Sequence, residues 1–177
     1  MILVGFGSNL SFSDSCPQEV IRLAARKLQQ ITEITAFSKI YRSEAWPEPS
    51  DPLFYNAVAA VTWAGPPVEL LETLHGIEEA FGRVRHARNA PRTLDLDLLA
   101  FNDVVCGAPD SSNMVLPHPR IETRKFVLFP LRDVAPDWRH PVTGATIDDM
   151  LGDLDGDDPV VVTGTHEGLE TEQSTTD

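Results

Sequence analysis

Two carboxylates stand two residues apart in the apolar run Thr93-Leu94-Asp95-Leu96-Asp97-Leu98-Leu99. On a β-strand that spacing sends Leu94, Leu96 and Leu98 to one face and projects Asp95 and Asp97 together from the other, about 7 Å apart along the chain. Paired hard oxygen ligands suit divalent cations. Magnesium in particular binds through one or two carboxylates plus substrate phosphates and keeps several waters, so it needs no larger protein cage. Directly upstream lie Arg83, Arg85, Arg88 and Arg92, and guanidinium groups fit the dispersed charge of a polyphosphate. Carboxylates for cations beside arginines for phosphates form a set suited to phosphoryl transfer, where positioning and electrostatic stabilisation do most of the work. A third group, Leu116-Pro117-His118-Pro119-Arg120 with Arg124, Lys125 and Phe126, adds a histidine held between prolines and more positive charge. Each feature also has a plainer reading, as an amphipathic strand, a solvated charge run or a structural histidine.

These residues need elements to hold them. Residues 2–7 (ILVGFG) read as a short buried strand, and a helix is predicted from Pro17 with Val20, Ile21, Ala24, Leu28 and Ile31 on one face. A strand is predicted over 34–41, a functional loop over 43–52 with three prolines, and a third strand over 56–63. Gly65-Pro66-Pro67 introduces a second helix carrying the stripe Leu70, Leu71, Leu74, Ile77 and Phe81, and the carboxylate strand follows over 93–101. The order β-α-β-β-α-β predicts an α+β, ferredoxin-like sandwich with two helices on one face of an antiparallel sheet. Residues 102–115 suggest a turn and a short hairpin, and 119–134 one or two short helices interrupted at Pro130. The fold is therefore a βαββαβ sandwich with a C-terminal hairpin and helical elaboration. Gly5-x-Gly7 superficially resembles a dinucleotide fingerprint but fails it, because Leu10 occupies the third glycine position.

The chain of 177 residues suits one domain, and 42 % hydrophobic residues can fill its core. Net charge is −13, which argues against a nucleic-acid or acidic-membrane binder. The excess is local. Of the 27 acids, ten lie from Asp148 onward, where there is no lysine or arginine, leaving 17 acids against 14 bases in the body, and nine of those bases fall between Arg83 and Arg139. Residues 1–150 are expected to form the working domain and 151–177 an acidic, disordered tail. No apolar run reaches the roughly 20 residues of a membrane span, and MILVGFGSN has no charged leader region, so a cytoplasmic location is expected. Cys16 and Cys106 have no second ligand at zinc spacing and read as inert packing residues.

The ordered set GSNL (7–10), FYNAV (54–58), IE-x3-GRVR (77–85), PRTLDLDLL (91–99) and LPHPR-x3-RKFVLFPL (116–131) closely resembles the 6-hydroxymethyl-7,8-dihydropterin pyrophosphokinases of folate biosynthesis. The resemblance spans residues 2 to about 141. It implies transfer of the β,γ-pyrophosphoryl unit of ATP to the pterin hydroxymethyl oxygen, releasing AMP. It also implies two magnesium ions held by Asp95 and Asp97. Arg83 and Arg92 are implied in catalysis and loop closure, and Arg85, Arg88, Arg124 and His118 on the phosphates. His75, Glu78 and Leu98 would help hold the nucleotide, and Phe54 and Phe126 would sandwich the pterin. Asn56 and the segment Ser43, Glu44 and Trp46 would bond its amide edge. The family is commonly monomeric, and the implied partners are these two small molecules alone.

The chain departs from that pattern in two places. Many members carry Arg-Trp-Gly-Pro-Arg before the aspartates, where this chain has Arg88-Asn89-Ala90-Pro91-Arg92 and one residue fewer. Trp46 is the candidate replacement for the lost tryptophan cover. Asn113 or a neighbour stands where a basic residue often precedes the LPH motif. Two other classes fit parts of the pattern: a non-catalytic ligand-binding module, which leaves the aspartates and arginines idle, and a magnesium-dependent nucleotidyl transferase, which would release pyrophosphate instead of AMP.

Overall fold

Alternation of apolar residues makes the strands, and one interruption in that alternation shapes the site. The structure, a computed structural model, describes residues 1–45, 50–83, 92–107, 114–154 and 160–164. Its elements are β1 (Ile2–Ser8), α1 (Pro17–Gln29), β2 (Ile34–Phe37), β3 (Ile40–Ser43), β4 (Phe54–Val61), α2 (Pro67–Ala80), β5 (Asp95–Phe101), α3 (Lys125–Val134), α4 (Ile147–Gly152) and β6 (Val161–Gly164). The strands form one sheet in the order β5-β1-β4-β3-β6, with β2 also on β4, and every pairing is antiparallel. The ferredoxin-like βαββαβ core is present.

On one face, Val4, Phe6, Ala57, Ala59, Val61, Leu96 and Leu98 pack with Val20, Ile21, Ala24 and Leu28 of α1 and Leu70, Leu74 and Ile77 of α2. On the other, Leu3, Val58, Ala60, Leu99 and Ala100 pack with Val127, Leu128 and Leu131 of α3 and Ile147 and Met150 of α4. The helices of the core share one face as expected, while the C-terminal helices cover the second. A β-bulge shifts the alternation along β5: Val4 pairs with Leu98 but Leu3 with Ala100. Leu99 and Ala100 therefore both face α3, and Leu98 and Phe101 stay with the other core.

Several boundaries differ from those read in the sequence. The strand expected over 34–41 is broken at Ser38, whose backbone N–H donates to the Val58 carbonyl and whose hydroxyl accepts the Val58 N–H, both at 2.9 Å. A side chain thus replaces one rung of the ladder. β4 starts two residues early because Phe54 and Tyr55 pair with Ser43 and Arg42. Ile31 lies past the end of α1 and is 46 % exposed instead of joining its apolar face. Pro130 does not interrupt a helix. It is buried within α3, where its ring removes one backbone donor but adds to the packing. Of the expected hairpin, the described residues show an antiparallel bridge between Cys106 and Leu116. Residues 161–164, expected in a disordered tail, form β6 on the free edge of β3, pairing with Ile40, Tyr41 and Arg42. Residues 155–159 and 165–177 lie outside the described set.

Candidate active site

The face that α3 and α4 cover is apolar at one end and polar at the other. Along β1 the residues on that face are Leu3, Gly5 and Gly7; Leu3 meets Ala60 and Ala100, while Gly7 meets Asn56 of β4 and Asp95 of β5. Asn56 in turn pairs with Tyr41 of β3. One cross-strand row therefore reads Asp95, Gly7, Asn56, Tyr41, and the next includes Asp97, Gly5 and Val58. Two strand spacings separate Asp95 from Asn56, about 10 Å, and between them Gly7 contributes no side chain. A Cβ on Gly7 would lie 3.5 Å from Asn56 Oδ1 and 3.6 Å from Asp95 Cβ. The result is a flat backbone floor with a carboxylate pair on one side and an amide on the other. These glycines fail as a dinucleotide motif, and it is their alternation on one strand that leaves the floor bare.

Around that floor the hydrogen bonds fix the walls. Asn56 donates through Nδ2 to the Ser43 hydroxyl at 3.3 Å. Phe54 sits opposite Ser43 on the neighbouring strand. Phe126, in the first turn of α3, has the Arg124 guanidinium 5.5 Å from its ring centre. Glu44 is exposed at the end of β3, and Trp46, proposed as a substitute cover, lies outside the described residues. The GSNL motif works from below. The Ser8 hydroxyl donates to the Thr93 carbonyl at 2.6 Å, and Asn9 Oδ1 accepts the Arg92 N–H at 2.8 Å. The Asn9 amide also donates to the Pro52 carbonyl at 3.2 Å, tying the start of β5 to the long loop.

Asp95 is held by two arginines: Arg83 meets its Oδ1 at 2.7 Å and Arg92 its Oδ2 at 2.8 Å. Arg83 also pairs with Glu78. Asp97, one turn of the pleat further on, has its carboxyl pushed up from 3.8 to about 6 by burial and then by the Asp95 charge, against the opposing pull of Arg124, Arg83 and Arg92. Burial and the neighbouring charge together outweigh the three guanidinium groups, so Asp97 holds its proton more tightly than a free carboxylate. His118 donates its backbone N–H to the Leu99 carbonyl at 2.8 Å, which anchors the loop to the β-bulge. Burial, with Arg124 and Arg120 beside it, lowers the imidazole to about 4. Its Nδ1 accepts the Arg120 N–H at 3.1 Å, so the neutral ring carries its proton on Nε2 as a donor.

Of the residues expected at the site, Arg83, Arg92, Asp95, Asp97, His118 and Arg124 are brought into mutual electrostatic contact. Arg85 and Arg88 lie outside the described residues. His75 is half-buried on α2. Two residues assigned by resemblance to the nucleotide sit differently from a simple contact. The Leu98 side chain is 5 % exposed and belongs to the core beneath α1 and α2. Glu78 is 1 % exposed and faces inward, onto the Leu96 N–H and Arg83. For Leu98 the backbone is what remains available. Among the described residues β5 is an edge strand, the Leu96 N–H points away from β1 toward Glu78, and the two-residue period turns the Leu98 N–H to that same edge.

The described residues contain no cluster of three or more histidine, cysteine, aspartate or glutamate side chains able to hold a metal. The carboxylate pair does fit magnesium held jointly with substrate phosphates: its donors are hard oxygens on one strand face, and a bound cation would favour the ionised form that burial and Asp95 disfavour at Asp97.

Residues 3–136 match the family model for 7,8-dihydro-6-hydroxymethylpterin-pyrophosphokinase. A 2-amino-4-hydroxy-6-hydroxymethyldihydropteridine pyrophosphokinase of Synechocystis sp. is 36 % identical over 154 residues, covering 86 % of this chain and 75 % of that one. The enzyme of the same name from Pseudomonas aeruginosa is 39 % identical over 142 residues, covering 79 % and 83 %. Among solved structures, wild-type Plasmodium falciparum HPPK-DHPS superposes with a TM-score of 0.63 at 15 % identity, covering 85 % of this chain and 44 % of that one. That likeness bears on the fold alone, since this chain spans less than half the solved one. Family match and relatives together show that the chain belongs to the 7,8-dihydro-6-hydroxymethylpterin-pyrophosphokinase family, enzymes that transfer a pyrophosphoryl group to hydroxymethyldihydropterin in folate biosynthesis.

Proposed function

We propose that the pterin lies flat over Gly7 with its amide edge at Asn56 and Ser43 and its hydroxymethyl arm toward Asp95 and Asp97, and that ATP brings its β- and γ-phosphates to the same carboxylates. The observation that carries this reading is the row Asp95, Gly7, Asn56. A bare strand backbone fits a planar ring, an amide reads a donor and acceptor edge, and the distance to the carboxylates leaves room for one bicyclic ring. Phe54 and Phe126 supply aromatic surface beside it.

Asp95 and Asp97 would hold magnesium, with ATP supplying further ligands. When bound, such ions neutralise phosphate charge and lower the pKa of a hydroxyl they coordinate. The protein's own side chains do the rest. Arg83 and Arg92, both within 2.8 Å of Asp95, stand where charge accumulates on the transferred unit and on the departing AMP. His118 donates from Nε2 without adding a charge, and Arg124 adds one from the start of α3. Arg85 and Arg88 are proposed as further phosphate contacts. His75 and the backbone of Leu98 are proposed for the nucleoside, at the open edge of β5. ATP and hydroxymethyldihydropterin are the partners proposed, for a monomer in the cytoplasm.

Cation binding tests this assignment apart from turnover. With a non-hydrolysable ATP analogue present, Mn2+ titration followed by electron paramagnetic resonance should give two bound ions per chain. Asp97→Asn and Asp95→Asn should each lose at least one. Unchanged stoichiometry and affinity in both variants would remove the metal role from this pair.

A further inference from the structure

Glu78 is the most deeply buried acid among the described residues, and the resemblance to the family places it on the nucleotide. Its surroundings indicate another task. α2 presents Glu78 beneath β5, where Oε1 accepts the Leu96 N–H at 2.7 Å and pairs with Arg83. Leu96 lies between the two aspartates, and among the described residues its N–H has no strand partner because β5 ends the sheet. Arg83 continues to Asp95, and Asp95 to Arg92. Charges therefore alternate from the interior to the surface: Glu78, Arg83, Asp95, Arg92. A carboxylate this buried requires both hydrogen bonds and a counter-charge, and Arg83 provides the latter. We infer that Glu78 is a positioning residue: it fixes the peptide between the two aspartates and holds the Arg83 guanidinium at Asp95, without touching either substrate. This rests on the assignment of Arg83 to the transferred phosphates.

The arrangement makes Arg83 serve two acids. Whatever draws Asp95 away from it leaves it still anchored by Glu78, so the guanidinium stays at the site instead of swinging into solvent. It also means that removing Arg83 strands a buried charge.

The test compares the full chain with Glu78→Gln, Arg83→Ala and the double variant, by steady-state kinetics and thermal unfolding. Glutamine keeps an oxygen for the Leu96 N–H but no charge for the guanidinium. Glu78→Gln should lower kcat by about tenfold or more while KM for ATP and for the pterin stay within about threefold, and the double variant should match Arg83→Ala, since Glu78 acts through Arg83. Arg83→Ala should lower the unfolding midpoint, and adding Glu78→Gln should raise it again by removing the unpaired charge. A Glu78→Gln enzyme whose kcat is unchanged, or whose loss is confined to KM for ATP, overturns the inference. So does a double variant that melts no higher than Arg83→Ala, or whose kcat losses multiply. If the unaltered chain produces no AMP, the phosphate assignment of Arg83 fails, while the unfolding comparison still reads the Glu78–Arg83 pairing.

Discussion

Replacing Asp97 with asparagine should make the protein inactive and, at neutral pH, more stable. The carboxyl is pushed up from 3.8 to about 6, chiefly by burial and then by Asp95. Because the folded value lies above the unfolded one, this group's contribution is fully present below pH 3.8 and is lost as pH rises through about 6. A rise of about two units at 1.36 kcal/mol each corresponds to roughly 3 kcal/mol, the upper size of the penalty carried by the ionised carboxylate above pH 7. Asparagine fills the same volume without the charge. Urea unfolding of both proteins from pH 4 to 8, in buffer containing a chelator, should show little difference at pH 4 and a gap of about 2–3 kcal/mol in favour of the variant by pH 7.5. Subtracting the two curves cancels the titrating groups that do not interact with Asp97, His118 included. Magnesium with an ATP analogue should stabilise the unaltered protein much more than the variant, since cations favour the ionised pair. An Asp97→Asn protein equal to or weaker than the original at pH 7.5, or a gap that does not change with pH, would refute the claim that burial beside Asp95 penalises the ionised Asp97 carboxylate.

Further outcomes follow from neighbouring contacts. Gly7→Ala keeps the strand, because its Cβ would make only ordinary contacts at 3.5 and 3.6 Å, but it intrudes on the floor; pterin affinity by fluorescence titration should fall about tenfold or more with ATP affinity unchanged. Asn9→Ala removes bonds to the Arg92 N–H and the Pro52 carbonyl and should cost about 2 kcal/mol in denaturant unfolding while lowering kcat. The acidic limb of kcat/KM for the free enzyme should lie near pH 6 and reflect Asp97. Because His118 is already neutral above about pH 4, His118→Gln should reduce the rate without moving that limb. Truncation after Leu154 removes β6 and bares the edge of β3; the melting temperature should drop by several degrees, with kcat of the folded fraction retained within about threefold.

How much of this was readable in advance depends on the range of the interaction involved. The period-two pattern through Leu94, Asp95, Leu96, Asp97 and Leu98 placed the carboxylates on one face and the leucines in the core, because strand geometry is local. The helix stripe Leu70, Leu74, Ile77 was visible for the same reason. The break at Ser38 was not, since it depends on a hydroxyl meeting the Val58 N–H twenty residues away. Gly5 and Gly7 acquire meaning only when β4 and β5 flank β1, a matter of register. Leu98 and Glu78 show the limit of motif matching: a position can belong to a family pattern while its side chain points into the core. The acidic balance after Asp148 suggested disorder, yet Val161 to Gly164 found a free strand edge.

The charge of −13 thus coexists with a site built for a polyanion, because arginines gather around one carboxylate pair while much of the acid lies toward the C-terminus. The most direct measurement of that chemistry is product analysis with ATP labelled at the β-phosphorus, magnesium and 6-hydroxymethyl-7,8-dihydropterin. Pyrophosphoryl transfer should yield AMP and pterin diphosphate in equal amounts, with all label on the pterin. Label appearing in ADP or free pyrophosphate, with the pterin unchanged, would contradict it.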